Sequence, residues 1–262
     1  MYIRMLLSMG IYLYTTRVVL SILGVEDYGI YNVVGGLVAM FSFLNATMSG
    51  ATSRFITFEL GKNSSKVQTV FSVALTIHII IALIVFLIGE TFGLWFLENK
   101  LTIPATKMYE AKWLLQFSIV TMIFSFTQVP YNASIIAHEK MNIYAYFELV
   151  NVGLKLLSVY LLLIIDANKL IFYGAIVMLT QIGVTLLYRL YCTRKWEHCK
   201  FNLSLDREFL RPLLSYSGWD LFGNASLVAR TQGVNVLLNI FFGAILNLSL
   251  IHISEPTRPI SI

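Results

Sequence analysis

Seven stretches of this chain run for about twenty residues each with hardly a charge among them, and nothing else in the sequence constrains the fold as strongly. About 20 apolar residues in helical form match a ~30 Å hydrocarbon core, where no water is present to satisfy a non-helical backbone. The stretches are Met5 to Leu23, Ile30 to Met48, Val67 to Ile88, Trp113 to Ile136, Ile143 to Ile165, Leu170 to Leu190 and Leu221 to Leu246. The expected fold class is therefore all-α, a polytopic membrane helical bundle. Composition agrees: 57% of the 262 residues are hydrophobic and 13% charged, whereas soluble domains carry roughly a quarter charged residues. Too few charges remain to solvate a globule.

The formal net charge of +5 takes its meaning from where the cations fall. With the N-terminus inside, inner loops hold Arg4, Arg54, Lys62, Lys66, Lys140, Arg189, Arg194, Lys195, Lys200, Arg207 and Arg211, eleven in all. Outer loops hold only four, Lys100, Lys107, Lys112 and Lys169. Positive loops are retained in the cytoplasm, so the N-terminus is expected there and no nucleic-acid partner is needed to explain the basic balance. The first stretch ends on Gly24-Val25-Glu26-Asp27, which offers no small-x-small cleavage pattern, so it stays as a span.

Two connections look structured. Thr91 to Lys112 carries Trp95, Phe96, Pro104 and Tyr109 and reads as an interfacial segment with aromatics at headgroup depth. Asp206 to Ser215 puts Phe209, Leu210, Leu213 and Leu214 on one helical face, which predicts a helix lying on the membrane, kinked or divided at Pro212. Cys192, His198 and Cys199 supply two thiols and one imidazole, an incomplete zinc set that reads as two reduced thiols. Nothing points to an enzyme or a cofactor: no histidine spacing suits a metal, no nucleophile elbow occurs, and no glycine-rich loop precedes a lysine. Gly35-Gly36 reads as close helix packing.

Polar residues inside the spans fall in stripes at 100° per residue. Gly10, Tyr14, Arg17 and Ser21 share a face of the first span, and Ser42, Asn45, Ser49 and Thr52 one of the second. The fourth aligns Ser118, Thr121, Ser125, Gln128 and Asn132; the fifth Tyr144, Glu148, Asn151, Lys155 and Ser158. Gln181, Thr185 and Tyr188 follow in the sixth, and Asp220, Asn224, Thr231 and Asn235, flanked by Arg230, in the seventh. Two readings stand: a shared hydrated cavity, or interhelical hydrogen bonds around a closed core. Charge at mid-helix costs roughly 2.5–3.5 kcal/mol on insertion scales and so marks function by default, although Arg17 and Asp220 are near enough to a surface to snorkel. On the cavity reading, Arg17, Lys155 and Arg230 form a cationic lining for an anionic substrate. Glu148 and Asp220 are then available for a coupling cation, with Asn151 and Asn224 as polar lining.

The run Arg17-Val-Val-Leu-Ser-Ile-Leu-Gly-Val-Glu-Asp-Tyr-Gly-Ile-Tyr-Asn-Val-Val-Gly-Gly36, then Arg54-Phe-Ile-Thr-Phe-Glu-Leu-Gly61, Val129-Pro-Tyr-Asn-Ala-Ser-Ile-Ile-Ala-His-Glu-Lys-Met141 and Ser217-Gly-Trp-Asp-Leu-Phe-Gly-Asn224, resembles the O-antigen and polysaccharide flippase family. That family belongs to the multidrug/oligosaccharidyl-lipid/polysaccharide exporter superfamily, and the likeness is greatest to members from Bacteroidota. It covers residues from about 1 to 247. The resemblance implies two six-helix lobes related by pseudo-twofold symmetry around a cavity that opens alternately to either side. It also implies a bacterial inner-membrane location and a lipid-linked oligosaccharide cargo on polyprenyl pyrophosphate. Membrane lipids, a polysaccharide polymerase and glycosyltransferases are the partners it suggests.

On this reading residues 1–192 form the first six-helix lobe, 193–216 a cytoplasmic loop with an amphipathic helix, and 217–247 the first helix of a second lobe. Residues 248–262 resemble a translated sequencing adapter, and the chain is expected to be an N-terminal fragment. The alternatives are a multidrug or cation exporter of the same superfamily and a non-transporting membrane scaffold.

Overall fold

The computed structural model describes residues 2–39, 41–62, 65–101, 103–164, 168–202 and 204–242, and every regular element among them is helical. The α-helices are α1 (Tyr2–Ala39), α2 (Ser42–Gly61), α3 (Val67–Ile88), α4 (Leu94–Asn99), α5 (Met108–Ala137), α6 (Met141–Ile164), α7 (Lys169–Lys195) and α8 (Arg207–Phe242). A π-helical turn, Gly89–Gly93, carries α3 into α4. Among the described residues five helical segments are long and apolar enough to cross a membrane: Ser8–Val38, Val67–Asn99, Ala105–Ala137, Met141–Ile164 and Lys169–Lys195. Their open sides carry Ile80, Leu83, Leu87, Leu157, Leu163, Leu186 and Leu190, all exposed. Apolar surface this continuous is stable against lipid rather than water.

The second expected stretch departs from its sequence reading. Ile30 to Met48 is shared between two helices, because α1 runs on to Ala39 and α2 begins at Ser42. Between them the amide of Phe41 donates to the Val38 carbonyl at 3.0 Å and that of Leu44 to the Phe41 carbonyl at 3.1 Å, the tight i→i+3 pattern of a local break. Conversely, the expected loop after Leu23 is helical except at Gly24, whose φ of 78° and ψ of 172° break α1 in two. Only glycine adopts that backbone without strain.

The chain divides into two compact units, 1–215 and 216–262. In the first, one apolar cluster holds Val19, Leu23, Val34, Leu114, Leu115 and Phe126, and a second holds Ile56, Phe71, Tyr131, Val184 and Leu213. Phe209 and Leu213 are buried in that second cluster with Leu210 packed against it, so this face meets protein and does not lie on the membrane as the sequence suggested. Lys66 Nζ fastens it by a 2.7 Å ion pair to Glu208. Nor does Pro212 divide α8, which stays helical through it. Pro212 lies in the second turn, so its ring opposes only the carbonyl of Glu208 and one hydrogen bond is forgone.

Close helix packing occurs at other glycines than the pair expected. A Cβ on Gly89 would lie 2.7 Å from Cδ1 of Ile119, and one on Gly174 would lie 3.1 Å from both Leu114 and Phe117. These positions set α3 and α7 against α5. At Gly35 and Gly36 a Cβ would meet nothing within 4 Å.

Candidate functional site

Two members of the polar stripe of α5, Ser125 and Gln128, bond to neighbouring helices, whereas Thr121 donates to the Phe117 carbonyl of its own helix and Asn132 Oδ1 is buried without a hydrogen-bond partner. Asn45 Nδ2 on α2 donates to Ser125 Oγ at 2.8 Å. From α7, Gln181 Nε2 donates to Gln128 Oε1 at 2.9 Å, and Thr185 Oγ1 donates to the same oxygen at 3.2 Å. Three helices are thus joined by side-chain bonds, the pattern of the closed-core reading. Beside them a cavity of about 220 Å³ opens between α1, α5 and α7, lined by Tyr31, Gly35, Ser118, Ser125 and Gln181. Gly35, without a side chain, leaves this space open instead of closing a helix contact.

The stripe of α6 turns inward. Lys155 shares its line with Val152, Ser158, Val159 and Leu162, all buried. Its ammonium donates to Tyr12 Oη at 2.9 Å and stands 4.9 Å from the centre of that ring. Tyr12 follows the line of buried Thr15 and Val19 but is itself exposed, so the bond lies at the open edge of the α1–α6 contact. Glu148 and Asn151, seven and four residues before Lys155, continue the same inward line and are half-buried. Lys155 therefore answers a neighbouring helix and not Glu148.

The stripe of α1 turns the other way. Arg17 shares a line with Leu13 and Leu20, both exposed, and is exposed itself. Around the helix it lies about 140° from Tyr12 at 3.6 residues per turn. Among the described residues no carboxylate approaches the Arg17 guanidinium within 4.0 Å. Arg17 and Lys155 consequently belong to opposite flanks of the α1–α6 seam and do not share one lining.

Asp220 lies in the second unit, half-buried and engaged with a partner. The side chains of Asn224, Arg230, Thr231 and Asn235, and the whole segment 243–262, lie outside the described residues. Sequence reasoning missed Tyr12, whose hydroxyl ties α1 to Lys155 of α6. A tyrosine at mid-span facing a lysine was the available signal, but partners across a helix seam have no mark in sequence spacing.

At the end of α5 the two cysteines meet. Cys192 and Cys199 are fully buried and hydrogen-bonded to each other, and Cys192 Sγ also lies 3.5 Å from the Tyr131 carbonyl. The Cys199 thiol is held below its ordinary range, first by the hydrogen bond from Cys192 and then by His198, against the opposing effect of burial. The His138 and His198 rings stack 5.1 Å apart, with Trp196 4.1 Å from His138. Among the described residues no group of three or more His, Cys, Asp or Glu side chains is arranged to hold a metal ion.

Against known proteins, the chain matches no family model, no curated protein and no solved structure.

Proposed function

We propose that the chain is part of a flippase that moves polyprenyl-pyrophosphate-linked oligosaccharide across the bacterial inner membrane, with its N-terminus in the cytoplasm. In this reading α1 counts as two passes hinged at Gly24, the second continuing into α2, so that α1 to α7 make a six-helix lobe. The ion pair of Asp27 with Lys107 at 2.8 Å supports the hinge, because it seats the residues after Gly24 beside the first turn of α5. Activity by alternating access requires a second lobe.

The observation that carries the proposal is Arg17. An exposed guanidinium with no carboxylate within 4.0 Å among the described residues, on the first arm of α1, is costly to leave against acyl chains unless it snorkels to the surface. It needs water and an anion. A pyrophosphate supplies both charge and the paired oxygens that a guanidinium binds bidentately. The positive sign of this face also disfavours export of cationic drugs.

The test is binding of polyprenyl pyrophosphate by the purified chain in nanodiscs, with polyprenol of the same length as comparison. Pyrophosphate-dependent binding is expected to weaken roughly tenfold or more in Arg17→Gln, the worth of one charged hydrogen-bonding group. Equal affinity for the two lipids, or full binding by Arg17→Gln, rejects the proposal. A membrane scaffold is the second reading. The bonds from Asn45 to Ser125 and from Gln181 to Gln128 favour it, since they use polar residues to fasten helices together.

A further inference from the structure

A second cavity, about 390 Å³, lies between the end of α1, the start of α2 and the π turn that joins α3 to α4. Its walls are Leu37, Phe43, Ile88, Phe92, Phe96 and Ile119, with the glycines of the π turn leaving room at the back. Among the described residues nothing polar lines it, and an apolar cavity of this kind does not fill with water even when water is near. Left empty, its walls would lose dispersion contacts on one side. Within a bilayer the abundant molecules of matching chemistry are lipid chains.

The position of the groove fixes which part of a lipid it takes. Trp95, Tyr109 and Trp113 are exposed at the same end of α3–α4 and α5, forming the aromatic belt that marks the membrane interface. Lys112 on α5 pairs with Glu98 on α4 at 2.6 Å, which sets the two helices at one level there. The groove begins immediately on the apolar side of that belt, since Phe92 is 5.7 Å from Trp95 and from Phe96, centre to centre.

The lysines where α4 leads into α5 are unequal in charge pairing. Of the three lysines at the α4–α5 junction, Lys107 is neutralised by Asp27 and Lys112 by Glu98. Lys100 alone of these three has no carboxylate within 4.0 Å; its ammonium stands 5.8 Å from the Trp95 ring, one turn beyond Phe96. A cation with no carboxylate partner among the described residues, one turn along the chain from the groove residue Phe96, is complementary to a phosphate headgroup above an acyl chain.

We infer that this groove is a binding site for an anionic phospholipid, with one acyl chain against Phe92 and Phe96 and the headgroup on Lys100. The site is independent of the flippase reading, because Arg17 takes no part in it. Native mass spectrometry of the purified, delipidated chain tests it, with phosphatidylglycerol and phosphatidylethanolamine of identical chains as probes. The wild type is expected to prefer phosphatidylglycerol, and Lys100→Gln, a substitution at an exposed position, to lower that preference about fivefold. Ile88→Trp, which fills the groove, is expected to weaken both lipids together. An unchanged preference in Lys100→Gln overturns the headgroup assignment, and unchanged binding in a folded Ile88→Trp overturns the groove. Displacement of both phospholipids by an uncharged polyprenol overturns the choice of occupant.

Discussion

The hydrogen bonds centred on Gln128 allow the two readings of the polar stripes to be separated by measurement. Gln128 Oε1 receives Gln181 Nε2 at 2.9 Å and Thr185 Oγ1 at 3.2 Å, both from α7. Interhelical hydrogen bonds in membranes average about 0.6 kcal/mol and reach at most ~1.7. Replacing Gln128 by Met keeps the side-chain length, so no large cavity is opened, and the loss of two bonds is expected to cost about 1 kcal/mol. A cycle combining Gln128→Met with Gln181→Met isolates the direct bond, with an expected coupling of about 0.6 kcal/mol. Reversible unfolding in micelles, followed by far-ultraviolet circular dichroism against added denaturing detergent, provides the free energies. If the stripe were hydrated, water would replace the missing partner almost without loss. A coupling indistinguishable from zero, with both single variants near wild type, would refute the claim that these residues fasten α5 to α7.

Three further outcomes are expected. Gly174→Val should destabilise by about 1–3 kcal/mol, because its Cβ starts 3.1 Å from Leu114 and Phe117, whereas Gly153→Ala, with nothing within 4 Å, should be neutral or stabilising by up to ~1 kcal/mol; the same unfolding assay compares them. Phe71→Ala should cost about 3–5 kcal/mol, since the ring is fully buried and packs edge-on against Tyr131 at 5.2 Å, and lipid-facing Leu83→Ala should change little. His138 has its pKa lowered by burial, only partly offset by the Ser134 carbonyl, so the unfolded chain takes up its proton first as pH falls. Stability is then lost from the ordinary value of 6.5 downward until the folded imidazole itself protonates, and His138→Phe should flatten that loss in a pH series of melting temperatures.

The helical character of the chain, with segments long and apolar enough to cross a membrane, was legible because hydrocarbon permits so few alternatives. A run such as Val67 to Ile88 has only one way to satisfy its backbone, and α3 has those bounds. Helix breaks were less legible. Gly24 sits in a segment whose charges suggested a loop, yet the helix resumes at once, because a single positive-φ glycine is enough to redirect it. The helix start at Arg207 was readable from its amphipathic pattern, but that pattern does not distinguish lipid from a protein core as the apolar partner, and Phe209 chose the core.

The site was legible only as a set of faces. Periodicity states which residues of one helix lie together; it contains no information on how that helix is rotated in the bundle. Arg17 and Lys155 show the consequence. Each belongs to a stripe with a clear period, yet one lies beside exposed Leu13 and Leu20, and the other runs along buried Val152, Ser158 and Val159 and meets exposed Tyr12 of α1. The physical cause is in the small residues that set the contacts. Buried Thr15 and Val19 present a low surface to α6, which leaves a long lysine on α6 room to reach Tyr12, while exposed Leu13 and Leu20 turn the Arg17 side of α1 away from the packed core. A polar residue next to small buried neighbours therefore joins the packing, and one flanked by large exposed leucines is left for whatever meets the outer face. By that criterion Lys155 is a structural cation, whereas Arg17 is left exposed on the outer face of α1.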